Sequence, residues 1–209
     1  TADPAAEAIL RTAAQSVASV VARPVAMVAE DMPRRGDQYA LGNLIADAQR
    51  AAADADVAVM NNGGIRTELR AGPATYGELF EVQPFGNMLV RLTVTGRELR
   101  RYAEALVARG APRVHVSGIV LRYDLARSEG SRIVAATVNG TPLDDARAYT
   151  VAFTDFMATG GEGLALARSA AKEEALVIVD LDALISFMQS RPGGVVRPDA
   201  APRLIPVTR

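Results

Sequence analysis

The chain has 209 residues, 49% of them hydrophobic, enough to bury a full core within one domain. A formal net charge of -1 with 22% charged residues leaves no basic field that would draw it to nucleic acid polymers or anionic membranes. It has no cysteine, which removes disulfides and thiolate chemistry, and no apolar stretch long enough to span a bilayer.

From Pro4 to Arg23, apolar residues at Ala6, Ile9, Leu10, Val17, Val20 and Val21 follow helical spacing up to Pro24, which predicts an amphipathic leading helix. The chain opens at Thr1 with no charged region followed by an apolar one, so it reads as a piece of a longer protein. A second helix is expected from about Leu41 to Ala53, with Leu41, Ile45, Ala48 and Ala52 on one face. The short apolar run Asp56 to Met60 then stops at Asn61-Asn62-Gly63-Gly64, as a buried strand does on entering a tight loop. Thr75-Tyr76-Gly77-Glu78 and Thr95-Gly96-Arg97-Glu98 both have capping-box spacing and predict two helix starts. Between them Met88, Val90, Leu92 and Val94 alternate as a strand, and after the second box Leu99, Tyr102, Ala103 and Leu106 point inward from a helix that ends by Gly110.

Ile119, Leu121 and Tyr123 alternate in a further strand, and Asn139-Gly140 sits between two β-like runs as a hairpin turn. The strand through Tyr149, Val151 and Phe153 runs into a second glycine-rich loop, Thr154 to Gly163. A β-like run over Ala175 to Val179, a helix from about Leu181 to Ser190 and a patternless tail with Pro and Arg complete the chain. Helices and hairpins mix without strict alternation, and no linker divides them. The expectation is a single α+β domain with a mixed sheet packed by helices.

Asn61 to Arg66, reading NNGGIR, is the first candidate site. Glycines let backbone N–H groups approach an anion closely, and an arginine can hold a phosphate through two parallel hydrogen bonds. Alone, such a stretch is an ordinary turn followed by a surface arginine. It stands, however, in a fixed order with other pieces: Leu41-Gly42-Asn43-Leu44-Ile45-Ala46-Asp47-Ala48 before it, then Gln83-Pro84-Phe85-Gly86-Asn87, Ser117-Gly118, and FMATGGEG from Phe156 to Gly163. In this order and spacing the chain resembles the C-terminal domain of the 5'-nucleotidase family, which includes UDP-sugar hydrolases and 2',3'-cyclic-nucleotide phosphodiesterases. The resemblance covers roughly Arg35 to Leu166 and implies a connector helix and lead-in over 1–34, followed by a substrate-recognition domain over 35–209.

It also implies roles. Phe85 and Phe156 match the pair that stacks on both faces of a nucleobase, an interaction worth about 1–3 kcal/mol per base and tolerant of base identity. An isolated phenylalanine would more simply be core, but these two border loops. Arg66 matches a phosphate-contacting arginine and Asn61 an asparagine that approaches the base, with Gly63 and Gly64 in the same loop. Arg35 stands where the family carries another substrate-contacting arginine, with Arg34 beside it. Glu162 replaces the family's ribose-binding Asp, and Leu164 stands where aromatic residues are common.

The family's reaction needs two divalent metals held by aspartates, histidines and an asparagine. This chain has one histidine, His115, in a valine-flanked strand where a structural role is the simpler reading. Gly42-Asn43 continues into a helical pattern, Asp144-Asp145 and Glu173-Glu174 read as solvated charges, and no Gly-x-Ser-x-Gly elbow is present. No catalytic residue, metal ligand or cofactor is therefore assigned here. The resemblance places two divalent metals in an N-terminal metallophosphatase domain of the parent, and the parent in the periplasm, outside the cell or on its surface. The leading expectation is a domain that recognises the base and ribose of a nucleotide or nucleoside. The alternative is a structural or interaction module of the same fold that no longer binds one.

Overall fold

The computed structural model describes residues 3–108, 110–161 and 166–207, with the side chain of Ala167 left aside. Helix α1 (Pro4–Val21) begins where Asp3 accepts the Ala5 amide at 2.9 Å and Pro4 takes a first-turn position that needs no donor. The sequence pattern of α1 is amphipathic, yet none of its residues is buried: Ile9 and Leu10 are 70% and 69% exposed. Only its last turn is engaged, with Val21 so close to Gly77 that a Cβ there would lie 2.4 Å from Val21 Cγ1.

Strand β1 (Pro24–Val28) and helix α2 (Ala40–Ala52) precede β2 (Val57–Asn61), and β3 (Gly72–Thr75) leads into α3 (Tyr76–Val82). Next come β4 (Met88–Thr95), α4 (Gly96–Val107), β5 (Val114–Ser117), β6 (Ile119–Tyr123), β7 (Ile133–Val138) and β8 (Thr141–Pro142). The last elements are β9 (Ala148–Thr154), α5 (Asp155–Ala158), β10 (Lys172–Val179), α6 (Asp180–Gln189), β11 (Val195–Val196) and β12 (Leu204–Pro206). Both capping boxes form: Glu78 and Glu98 each reach back to the amide of Thr75 or Thr95 at 2.7 Å, while the threonine hydroxyls accept the Glu78 and Glu98 amides.

The fold class is α+β in one domain, as expected, with the strands spread over three sheets rather than one. The largest runs β10-β4-β9-β2-β5 and is mixed, since β2 and β9 are parallel and the other neighbours antiparallel. Strands β2 and β5 and most of β9 are buried on both faces, whereas the edge strand β10 is largely exposed. Val57, Val59, Val90, Leu92, Val151 and Phe153 pack toward α4 and the sheet of β6 and β7. On the other face Met60 joins the cluster built by α2, α3 and α6. Full burial of each such side chain contributes roughly 1.5–3 kcal/mol, so this sheet is the rigid frame.

Two short sheets, β11-β1-β3 and β12-β6-β7-β8, complete the fold. The tail that looked patternless in sequence is tied down by polar side chains. Arg203 forms two hydrogen bonds to Asp47, the longer 2.9 Å, and another to Asp199 at 3.0 Å. Gln38 Oε1 accepts the amides of Arg203 and Leu204, and Asn43 donates to the carbonyls of Asp199 and Ala201.

Candidate functional site

The central sheet decides what comes together. Because β2 and β9 run parallel, with Val57 opposite Val151, their C-terminal ends emerge side by side. Strand β4 is antiparallel to β9, pairing Leu89 with Thr154, so its first residues lie at that same end. Three segments distant in sequence therefore meet: the Asn-Gly-Gly turn after β2, the loop from Gln83 to Asn87 before β4, and the single turn of α5 after β9.

They enclose a cavity of about 210 Å³ lined by Asn61, Gly63, Gly64, Phe85, Asn87 and Phe156. Phe85 is 55% exposed and Phe156 49% exposed, whereas Asn61 is 4% exposed at the inner wall. Two glycines shape this site. A Cβ on Gly64 would fall 3.0 Å from Asn61 Oδ1 and 2.5 Å from Met60 Cε, and one on Gly161 would fall 2.4 Å from Phe156 Cε1. Any larger residue at Gly161 would push the Phe156 ring from its position. Thr154 caps α5 by accepting the Met157 amide at 3.3 Å, which fixes the turn that carries Phe156.

Arg66 borders the cavity rather than lining it. Its guanidinium carbon lies 5.7 Å from the centroid of the Phe85 ring and its Nη1 donates to the Gly63 carbonyl at 3.2 Å, a cation–π arrangement on one wall. Arg35 is exposed and does not line the cavity. Its neighbour Arg34 instead donates to the Asn62 carbonyl at 3.3 Å and, with Asp37, Tyr39 and Arg113, borders a smaller polar pocket of about 120 Å³. Glu162 and Leu164 lie outside the described residues.

Sequence reading did not single out two residues that the geometry brings in. Asn87 lines the cavity, and its Nδ2 donates to Asp180 Oδ2 at 3.0 Å while the Asp180 amide donates to the Asn87 carbonyl at 2.9 Å. Asp180 is 1% exposed; burial raises its carboxyl above the usual range, and the hydrogen bonds from Asn87 and Leu181 oppose that rise. The Asn87 position closes the PFGN segment and was visible, but its pairing with Asp180 has no local signal.

Behind the Asn-Gly-Gly turn, His115 is fully buried. Its Nε2 donates to Asn62 Oδ1 at 2.7 Å, its ring meets Tyr39 edge-on at 4.3 Å, and its Nδ1 has no partner among the described residues. Because Asn62 Nδ2 donates to the Asp37 carbonyl at 3.4 Å, the Asn62 oxygen faces the ring and can only accept, which sets the tautomer. Burial, assisted by the charges of Arg203 and Arg34, lowers the His115 pKa to about 4, so the ring is neutral near pH 7. Among the described residues no three His, Cys, Asp or Glu side chains gather to hold a metal ion, and His115 is committed to the fold. The described residues do not fit the two-metal centre that the sequence resemblance implies for the parent.

Fold and cavity define an α+β domain with a preformed, aromatic-walled cleft at the edge of its central sheet. Residues 17–168 match the family model described as "5'-nucleotidase, C-terminal domain", and the chain belongs to that family. Among its relatives, Endonuclease YhcR of Bacillus subtilis is 37% identical over 161 residues, 75% of this chain and 13% of that protein. Protein UshA of Escherichia coli is 36% identical over 126 residues, 60% of this chain and 22% of UshA. The crystal structure of a 5'-nucleotidase precursor from Thermus thermophilus superposes with a TM-score of 0.85 at 28% identity, covering 98% of this chain and 43% of the other. The chain thus spans less than half the length of each of these relatives.

Proposed function

We propose that this chain binds the base and ribose of a nucleotide in the cleft between Phe85 and Phe156 and presents the phosphate to a metal-bearing hydrolase domain of the same parent protein. The carrying observation is that two phenylalanines, each about half exposed, stand with Asn61 and Asn87 around one cavity. Exposed aromatic rings cost solvation that a stacked base recovers, and the amides of buried Asn61 and half-buried Asn87 supply direction. Arg66, resting against Phe85, is within reach of a phosphate at the cavity rim.

Family membership and the part-length coverage of the relatives support an additional domain, in which the two divalent metals would reside. The apolar stripe left on the surface of α1 is in keeping with such a neighbour. No helix among the described residues is long and apolar enough to cross a membrane. The family supports a periplasmic, secreted or cell-surface parent.

Calorimetric titration of this chain with adenosine and AMP tests the reading. The expected dissociation constants are ~0.1 mM or weaker, because the phosphate lacks its metals, and Phe156→Ala weakens binding by about 1–3 kcal/mol in a protein that still folds. No heat at millimolar ligand from the folded chain would overturn the reading in favour of a structural or interaction module.

A further inference from the structure

We infer that Asp180 is a positioning residue that turns the Asn87 carboxamide oxygen toward the ligand, and so makes the cleft prefer bases with an exocyclic amino group. This rests on the nucleotide reading above. An amide can be built with its oxygen and nitrogen exchanged, so its orientation has to follow from its partner. Here the partner settles it. Asp180 Oδ1 accepts the Leu181 amide at 2.8 Å and Oδ2 faces Asn87 at 3.0 Å. With donors facing both of its oxygens Asp180 is held as a carboxylate, which only accepts, so the Asn87 atom beside it is Nδ2.

The backbone contact between the Asp180 amide and the Asn87 carbonyl, at 2.9 Å, holds the two residues in register. Asn87 Oδ1 then has no partner among the described residues, while the side chain lines the cavity. What the residue offers a bound base is an acceptor and at most one remaining N–H. That pattern complements an amino group beside a ring nitrogen, as on adenine or cytosine, in the way an asparagine reads adenine through a donor–acceptor pair. A base carrying an oxo group at the same place would set two oxygens against each other.

Asp180 touches no ligand; it acts through Asn87, as a supporting shell holds a contacting group. The test compares adenosine, purine riboside and inosine by titration on the unmodified chain and on Asp180→Asn. Asparagine at 180 can present either an oxygen or an N–H, which frees the Asn87 amide to turn. The unmodified chain is expected to bind adenosine about tenfold tighter than either analogue, and Asp180→Asn to narrow this to about twofold. A purely structural role would weaken all three nucleosides together and leave their ratios unchanged. Equal affinity for adenosine and purine riboside on the unmodified chain, or an unchanged ratio in folded Asp180→Asn, overturns the inference. The first comparison needs no variant and holds even if the substitution impairs folding. Binding without discrimination would sink the role of Asp180 alone, whereas absence of binding by every nucleoside would sink the nucleotide reading and this inference with it.

Discussion

Phe153 and Phe156 stand three residues apart at the end of one strand, yet they live in different worlds. Phe153 is 1% exposed and meets Tyr102 edge-on at 5.6 Å, while Phe156 is 49% exposed on a single helical turn with glycine packed against it. The residue type says nothing about role; what separates the two is where the strand ends. Inside β9 the side chains belong to the sheet, and past Thr154 the chain turns and lifts the next ring out to the cleft.

Phe153→Ala should cost about 3–5 kcal/mol, because it removes a fully buried ring from a close-packed cluster. Urea unfolding would measure it, and a loss below about 1 kcal/mol would show that Phe153 is not the core residue described here. Acid should come next. His115 holds its pKa at about 4 in the fold against 6.5 in its ordinary state, so between those values the unfolded chain takes up the proton and the folded one does not. Stability from this group is complete above pH 6.5 and falls as the pH drops toward 4, by about 3 kcal/mol over the window. Melting curves of the native chain and of His115→Gln across that range would reveal it, the variant losing this part of the pH slope.

A smaller effect, of order 1–3 kcal/mol, is expected for Gly42→Ala, whose Cβ would lie 2.2 Å from the His115 ring and force the network behind the Asn-Gly-Gly turn to shift. Thermal melting would report the cost, and an unchanged midpoint would mean that the ring moves freely. The smallest change in stability belongs to the cleft. Phe85→Ala and Phe156→Ala should each alter it by about 1 kcal/mol or less while weakening nucleoside binding by about 1–3 kcal/mol. Should Phe156→Ala destabilise the chain as much as Phe153→Ala, the distinction between wall and core would collapse.

Much of this was readable in advance wherever the cause is local. Capping boxes at Thr75 and Thr95, the inward face of α4 and the Asn139-Gly140 turn depend on neighbours within one turn, and the structure carries each of them. Strands β1, β3, β11 and β12 have two to five residues and no usable period; their partners, not their own sequence, make them strands. Likewise Arg203 became informative only once it was seen bound to Asp47. In the site, Asn61, Gly63, Gly64, Phe85 and Phe156 were named from the sequence and lie around one cavity, with Arg66 at its edge. Arg35 does not join them, and the backing of Asn87 by Asp180 arises from a contact between residues 93 positions apart, which no motif spacing encodes.

The parallel pairing of β2 with β9 also bears on how the molecule is made. The strands are joined by a crossover that contains β3 through β8, so the cleft cannot form early from a local fragment. Closing so long a loop costs entropy that is repaid only once the central strands have zipped together, which makes this a late and slow event in folding. A nascent or truncated chain that stops short of β9 would carry the Asn-Gly-Gly turn and Phe85 without their opposite wall. The two walls of the cleft therefore exist together only once the chain through α5 has folded onto the sheet.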